Sequence, residues 1–120
     1  MVVEGHEVFV GGKQDPVFGP VILAGMGGVY VEVFGEVAHR VAPVSATEAE
    51  NMLAEVRGSQ LLKGVRGQSP ADLETLIDII QRVSQLMCDL PQIQELDLNP
   101  IKVLPEGRGC FVVDCRMLLS

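Results

Sequence analysis

The chain has 120 residues, of which 48% are hydrophobic and 21% charged, and its formal net charge is −7 at pH 7. This length and composition predict one globular domain over residues 1–120 and exclude a disordered or fibrous protein. The acidic charge argues against nucleic acid as a partner, because nucleic-acid binding depends on Lys and Arg contacts to phosphates. A cationic ligand or a divalent metal ion suits this charge better.

Nothing in the sequence indicates a membrane protein. No apolar run approaches the ~20 residues that span a bilayer, and no signal peptide is evident. The three cysteines lack the C-x-x-C spacing of zinc or redox sites, so we expect reduced thiols in a cytoplasmic protein. A strand-like segment begins at Met1 without a polar lead-in, which favours a piece of a longer protein.

The first third of the chain is predicted to form short β-strands. Four apolar segments separated by Gly and Pro lie between Glu7 and Val41: EVFVGGK, PVILAGM, VYVEVF and VAHRV. Connections this short require hairpins, so the sheet is expected to be largely antiparallel.

A first helix is predicted after these strands. Ser45 and Glu48 form a capping-box pattern, in which each side chain satisfies an otherwise unpaired backbone N–H of the other residue. The helix is expected to run from about residue 46 to 57.

A second helix is predicted to begin with Ser69 as its N-cap and Pro70 at its first position. Apolar residues then recur at spacings of three and four, which is typical of the buried stripe of a helix. The helix is expected to end before Pro91. The stripe residues are Leu73, Leu76, Ile77, Ile80, Val83 and Met87.

The chain closes with a predicted hairpin, in which IQELDLNPIKVL and GCFVVDCRMLL flank the turn-forming PEGRG. The order of strands, two helices and a hairpin predicts an α+β fold, with helices packed on one side of an antiparallel sheet. Alternation along a strand puts three polar residues of the first strand on one face: Glu95, Asp97 and Asn99. On the return strand it predicts another set on one face: Val112, Asp114 and Arg116.

A symmetric turn at Glu106-Gly107 makes Asp114 the cross-strand partner of Asn99. Opposed residues have Cβ atoms roughly 4.5 to 5.5 Å apart, so oxygen atoms of both side chains can reach one cation. Mg²⁺ suits such a pair, because it accepts one or two protein oxygen ligands and leaves the other positions to water and phosphates. A hairpin whose polar face simply meets water explains the same spacing, and a register slip would make the two residues diagonal neighbours.

Several motifs, in order along essentially the whole chain, resemble the C-terminal half of the ATP-grasp domain of ADP-forming acyl-CoA synthetases, relatives of the succinyl-CoA synthetase β subunit. The matching segments are GHEVFVGGKQDPVFGPVILAGMGGVYVEVF, RVAP, LLKGVRG, ELDLNP and FVVDCRM. The resemblance implies the second ATP-grasp subdomain of an acid–CoA ligase. Such an enzyme interconverts acyl-CoA, ADP and phosphate with acid, CoA and ATP.

The resemblance also implies roles for four residues. In that family, an Asn and an Asp placed like Asn99 and Asp114 bind the Mg²⁺ that bridges the nucleotide phosphates. A Glu matching Glu7 contacts the ATP or ADP and is expected to accept hydrogen bonds from the ribose hydroxyls. The acidic residue matching Asp97 lies near a phosphohistidine that arrives from another domain. The succinyl-CoA branch usually has Glu there, so the shorter Asp97 departs from the pattern.

The family's enzymes need parts that the motifs of this chain do not match. The N-terminal ATP-grasp subdomain brings a phosphate-binding lysine, a role that Lys13, Lys63 and Lys102 do not match, and a CoA-binding or phosphohistidine domain or subunit carries the phosphoryl group. The isolated chain is therefore expected to be inactive. Two alternatives stay open: a regulatory or degenerate module of a multidomain protein lysine acetyltransferase, to which this module is fused in some bacteria, and a non-catalytic structural or interaction domain.

Overall fold

The structure is a computed structural model that describes residues 6–27, 37–56, 59–64 and 70–120. The segment VYVEVF at 29–34, predicted as a strand, and Ser69, predicted as a helix cap, lie outside the described residues. The described strands are β1 (His6–Asp15), β2 (Gly19–Met26), β3 (Ala38–Val41), β4 (Ile93–Val103), β5 (Cys110–Val112) and β6 (Cys115–Leu119). The described helices are α1 (Ala46–Glu55), a 3₁₀ helix (Ser59–Lys63) and α2 (Leu73–Asp89).

The described strands form one antiparallel sheet in the order β3-β2-β1-β4-β5, and β6 pairs with the part of β4 that β5 leaves free. The β1–β2 hairpin is closed by Asp15, whose Oδ1 accepts hydrogen bonds from the N–H groups of Val17 and Phe18 at 2.8 and 3.0 Å. Gly19 follows with a φ of 79°, a conformation that favours glycine. The predicted antiparallel sheet is confirmed.

Both α-helices lie on one side of the sheet. Val8 and Val10 of β1 are buried on that side, where α2 packs against β1 and β2, and α1 packs against β3. The predicted α+β arrangement is confirmed, and the other side of the sheet carries no described helix. We call this other side the open face. It comprises Glu7, Phe9, Gly11 and Lys13 of β1 together with the residues paired with them on neighbouring strands.

The start of α1 matches the prediction. The N–H of Glu48 donates to Ser45 Oγ at 3.1 Å, and the N–H of Ser45 donates to Glu48 Oε1 at 3.4 Å, which completes the capping box. The helix ends at Glu55, earlier than the predicted residue 57. It ends there because the next residue, Val56, adopts an extended backbone conformation with ψ of 126°.

The start of α2 differs from the prediction. Its N-cap is Asp72 rather than Ser69, and Pro70 precedes the helix instead of opening it. The backbone before Asp72 is extended because it bonds the turn of the final hairpin. There the N–H of Glu106 donates to the Pro70 carbonyl at 2.8 Å.

The rest of α2 follows the predicted pattern and ends before Pro91. At Met87 the helix approaches the sheet so closely that a Cβ on Gly12 would lie 2.7 Å from Met87 Cγ. Four residues of the predicted stripe are buried: Leu76, Ile80, Val83 and Met87. The other two, Leu73 and Ile77, are partly buried and pack against the core.

Asp72 connects the start of α2 to the turn between β4 and β5. Its carboxylate is buried and accepts hydrogen bonds from the Thr75 N–H at 3.2 Å, the Thr75 hydroxyl at 2.9 Å and the Gly109 N–H at 2.7 Å. Burial opposes ionisation, but these hydrogen bonds outweigh it and lower the pKa of Asp72. Burial, with a smaller contribution from Asp72, raises the pKa of the Cys110 thiol to about 11.

We predict that Asp72→Asn lowers the free energy of unfolding at pH 7 by about 1–3 kcal/mol, because the amide nitrogen cannot accept the bonds that the lost oxygen accepted. Since the pKa of Asp72 in the folded protein lies below the ordinary value of 3.8, the carboxylate stabilises the fold fully above pH 3.8. This stabilisation is lost as the pH falls through the folded pKa. Urea unfolding of the parent and the variant, from neutral to acidic pH, should therefore show a difference in unfolding free energy that shrinks in acid.

Asp89→Asn is the matched control, since Asp89 lies at the other end of α2 and bonds only the exposed Gln85 side chain at 2.8 Å among the described residues. Its effect should stay within about 0.5 kcal/mol. Equal unfolding midpoints for Asp72→Asn and the parent at pH 7 would contradict the prediction.

Candidate functional site

The pairing of β4 with the return strand decides which polar side chains face each other. Ile101 pairs with Val112, and Leu98 pairs with Cys115. Between these pairs, the N–H of Asn99 donates to the carbonyl of Asp114 at 3.1 Å. Asn99 and Asp114 therefore lie opposite each other, in the register predicted from the symmetric turn.

A β-bulge in β4 lies at the same position. Val8 pairs with Ile101, and Val10 pairs with Leu98. Between these two pairs β1 has one residue, whereas β4 has two, Asn99 and Pro100, so β4 carries one extra residue. The bulge shifts the alternation of β4 by one residue. As a result, apolar residues on both sides of it face the helices: Leu96, Leu98, Ile101 and Val103.

The same irregularity corrects one predicted detail. The return strand is interrupted, with β5 ending at Val112 and β6 beginning at Cys115. Val112 pairs with the buried Ile101 on the helix side, whereas Arg116 pairs with Asp97 on the open face. The prediction that Val112 and Arg116 share a face is therefore wrong, because strict alternation does not continue through the interruption.

The Asn99 and Asp114 side chains are both exposed. Asp114 Oδ1 accepts a hydrogen bond from the Cys115 N–H at 2.9 Å. Asn99 Oδ1 lies near Gly27, where an added Cβ would be 3.5 Å from this oxygen and 3.3 Å from the backbone carbonyl carbon of Val8. The glycine after β2 thus leaves room for the Asn99 carboxamide on the open face.

Asp97 lies two residues before Asn99 on β4, and it pairs with Gly11 of β1 on one side and with Arg116 of β6 on the other. It is half-buried at the wall of a shallow depression in the open face. A Cβ on Gly11 would lie 3.0 Å from the Leu96 carbonyl oxygen and 3.8 Å from Asp97 Oδ1, so the missing side chain keeps the depression open. The other residues around the depression include Phe9, Lys13, Leu23 and Glu95.

The surroundings of Asp97 disfavour its charged form. Burial is the largest cause that raises the pKa of Asp97, and the nearby carboxylates of Asp114 and Glu95 raise it further, while the Arg116 guanidinium opposes them. Among the charges that act on Asp97, two carboxylates therefore outnumber one guanidinium, and Lys13 lies at the same depression. A bound cation would relieve the mutual repulsion of the carboxylates.

Glu7 lies at the other end of the open face, opposite Lys102 of β4. Lys102 Nζ is 3.3 Å from Glu7 Oε1. Lys102 in turn pairs with Phe111 of β5, which is 53% exposed. Three strands thus contribute a carboxylate, an ammonium group and an aromatic ring to one row.

The described residues contain no cluster of three His, Cys, Asp or Glu side chains that could hold a metal ion. The candidate cation site is therefore a pair, consisting of the Asn99 carboxamide and the Asp114 carboxylate. An oxygen-only pair with a third carboxylate, Asp97, in the next cross-strand row suits Mg²⁺ and does not suit Zn²⁺, which prefers His and Cys.

Comparison with known proteins assigns the chain to a family. The profile of the ATP-grasp domain family matches residues 1–119. The chain belongs to the ATP-grasp family. This confirms the family resemblance of its motifs, from the opening strand to the final hairpin.

The ATP-grasp chain is similar to subunits and domains of larger ligases. It is 50% identical over 120 residues to acetate–CoA ligase [ADP-forming] I of Archaeoglobus fulgidus, covering 100% of the chain and 17% of that protein. It is 41% identical over 121 residues to the β subunit of acetate–CoA ligase [ADP-forming] II of Pyrococcus furiosus, covering 100% of the chain and 51% of the subunit. The chain therefore spans about half or less of the length of these curated relatives.

A solved structure shares the fold of the ATP-grasp chain with a TM-score of 0.92 at 41% identity, over 100% of this chain and 55% of the other. It is a dinucleotide-forming acetyl-coenzyme A synthetase of Ca. Korarchaeum cryptofilum in complex with coenzyme A and Mg-AMPPCP, with its phosphohistidine segment pointing towards its nucleotide binding site. These relatives are acid–CoA ligases and synthetases, which fits the ligase interpretation and not the acetyltransferase or structural alternatives.

No helix in the described ranges of the ATP-grasp chain is long and apolar enough to cross a bilayer.

Sequence reasoning does not place three residues beside the candidate residues: Gly11, Gly27 and Lys102. The positions of Lys102 and Gly11 become evident only when β1 is paired with β4, because this pairing places Lys102 opposite Glu7 and Gly11 opposite Asp97. That pairing joins segments far apart in the ATP-grasp chain, and the bulge shifts its register by one residue. Local patterns do not carry this information.

Proposed function

We propose that this chain is the second subdomain of the ATP-grasp domain of an ADP-forming acid–CoA ligase, and that its open face holds a magnesium nucleotide. The observation that carries the proposal is the position of Asn99 opposite Asp114 at the bulge of β4. In a chain 50% identical to an ADP-forming acetate–CoA ligase, this is an oxygen pair suited to Mg²⁺.

Asn99 and Asp114 are the residues that would hold the metal ion. When bound, Mg²⁺ supplies positive charge that neutralises the nucleotide phosphates. The chain's own contribution is geometric: the β4 pairing orients the two residues, and Gly27 leaves space beside the Asn99 carboxamide. A fixed pair of ligands lowers the entropy lost when phosphates are positioned.

Glu7 would accept hydrogen bonds from the ribose hydroxyls of ATP or ADP. It faces Lys102, which is three residues beyond Asn99 along β4. The bulge lies between them, so β1 advances only about two residues over this interval, and at about 3.3 Å per residue the positions are separated by roughly 7 Å along the sheet. A nucleotide is long enough to span this separation from its phosphates to its ribose hydroxyls, so one ligand could contact both positions.

Asp97 would act near the transferred phosphoryl group. It is half-buried beside an open depression, one cross-strand row from the proposed metal site. A phosphohistidine segment points towards the nucleotide site in the Korarchaeum relative. We propose that a segment of this kind, on another domain or subunit, reaches the depression. The Asp97 carboxylate would then orient its imidazole.

The complete ligase would need parts beyond this chain. We propose that the N-terminal ATP-grasp subdomain and a CoA-binding, phosphohistidine-carrying domain or subunit complete it in the cytoplasm. The larger size of the relatives supports this, since the chain covers 17% of one ligase and 51% of a β subunit. The isolated chain is accordingly proposed to be inactive.

We predict that Asn99→Ala and Asp114→Ala in the full-length protein each raise the Kd for ADP in the presence of Mg²⁺ by about tenfold or more, because each removes a metal ligand. Isothermal titration calorimetry with and without EDTA measures this. Chelation should weaken binding to the parent protein far more than binding to either variant.

Glu106→Gln is the control, because it removes one negative charge from the exposed turn of the same hairpin. Its Kd should equal that of the parent protein. Unchanged affinity and unchanged Mg²⁺ dependence in both alanine variants would show that the metal-site proposal is wrong.

A second prediction concerns Asp97→Asn, which keeps the size of the side chain and removes its charge. We expect kcat for ATP formation from acyl-CoA, ADP and phosphate to fall about tenfold or more. The Kd for magnesium ADP should change less than about threefold. Steady-state kinetics with acetyl-CoA and calorimetry on the full-length protein separate the two effects. A large rise in Kd with normal kcat would assign Asp97 to nucleotide binding instead.

A further inference from the structure

Lys102 is the cross-strand partner of Glu7, and the proposed function leaves it without a role. The two residues pair directly in the β1–β4 ladder, with Lys102 Nζ 3.3 Å from Glu7 Oε1. Their side chains are only 23% and 30% exposed, respectively. Partial burial lowers solvent screening, so this pair interacts more strongly than a fully solvated surface pair.

The surroundings of Glu7 are asymmetric. Towards β2 its neighbour is Gly27, whose N–H donates to the Glu7 carbonyl at 2.8 Å and which has no side chain. Towards β4 its neighbour is Lys102. Among the described residues, the Glu7 carboxylate is thus bordered by a cation on the β4 side, and its β2 neighbour contributes no side chain.

We infer that Lys102 is a positioning residue, which holds the Glu7 carboxylate in place to receive the ribose hydroxyls of the nucleotide. The inference rests on the proposed function, because it requires a nucleotide on the open face. Lys102 acts through Glu7 and is distinct from the phosphate-binding lysine expected on the other subdomain.

One physical reason favours this role. A glutamate side chain has three rotatable bonds, and fixing it on binding costs conformational entropy unless a neighbour has already fixed it. The Lys102 ammonium group, 3.3 Å from Glu7 Oε1, favours a single orientation of the Glu7 carboxylate.

The test compares ADP with 2′,3′-dideoxy-ADP, which lacks both ribose hydroxyls, as ligands of the full-length protein in Mg²⁺. The parent protein should bind ADP about tenfold or more tightly than the dideoxy analogue, since a charged hydrogen bond is lost with the hydroxyls. In Lys102→Met this ratio should fall below about threefold, while Lys102→Arg should retain most of it. Glu7→Gln should also reduce the ratio, and adding Lys102→Met to it should cause little further loss, because the two residues act as a unit.

Lys63→Met is the matched control, because it removes one exposed lysine from the 3₁₀ helix, on the helix side of the sheet. Its ratio should equal that of the parent. A ratio of two affinities is insensitive to partial loss of folded protein. If Lys102→Met does not fold, Lys102→Gln provides the same comparison with a neutral side chain of similar reach.

The outcomes separate this inference from the proposed function. If the parent protein binds no magnesium nucleotide, the proposed function fails and the role of Lys102 fails with it. If the parent prefers ADP and Lys102→Met keeps the full preference, only the positioning role of Lys102 is overturned. If the parent binds both nucleotides equally, the ribose role of Glu7 is wrong, and so is the role of Lys102.

Discussion

The antiparallel pairing of β4 with the return strand determines the geometry of the candidate site. Asn99 faces Asp114, Asp97 faces Arg116 and Lys102 faces Phe111 because one register runs through both β5 and β6. A slip of one residue would separate all three pairs and would turn polar side chains of the return strand towards the core. The register is protected by the apolar residues that β4 buries on both sides of the bulge.

The helical layer supports this register from one side, and no described helix covers the other side. Asp72 connects the first turn of α2 with the Gly109 N–H of the hairpin turn, and Glu106 bonds the Pro70 carbonyl from the same turn. The hairpin therefore cannot shift along the sheet without breaking a buried carboxylate's hydrogen bonds, which is costly. A rigid support of this kind keeps ligand-binding side chains at fixed separations.

The sequence predicts well those features that depend on local patterns. Alternating and helical periods identify the described strands and the buried stripe of α2, and the Ser45–Glu48 pair identifies the start of α1. The hairpin register also follows from the sequence, because the turn lies between the two strands that it pairs. These are interactions between residues that are close along the chain.

Features that depend on distant contacts were predicted wrongly or not at all. The start of α2 is displaced because Pro70 bonds the turn of a hairpin that follows much later. The shared face of Val112 and Arg116 is lost because the return strand is interrupted beside the bulge of β4. Lys102 is recognisable as a partner of Glu7 only after β1 and β4 are paired. In each case, a residue's neighbour comes from elsewhere in the chain, so no local rule identifies it.

The charges of the open face explain why the proposed nucleotide needs a metal ion there. Around Asp97, the carboxylates of Asp97, Asp114 and Glu95 are opposed by the guanidinium of Arg116, and Lys13 lies opposite Glu95. The terminal phosphates of a nucleotide carry most of its negative charge and would be repelled by this end of the face. At the other end, Glu7 is already paired with Lys102, so the uncharged ribose meets no such repulsion. A divalent cation between Asn99 and Asp114 would offset this negative charge, and the proposed direction of the nucleotide on the sheet would follow from it.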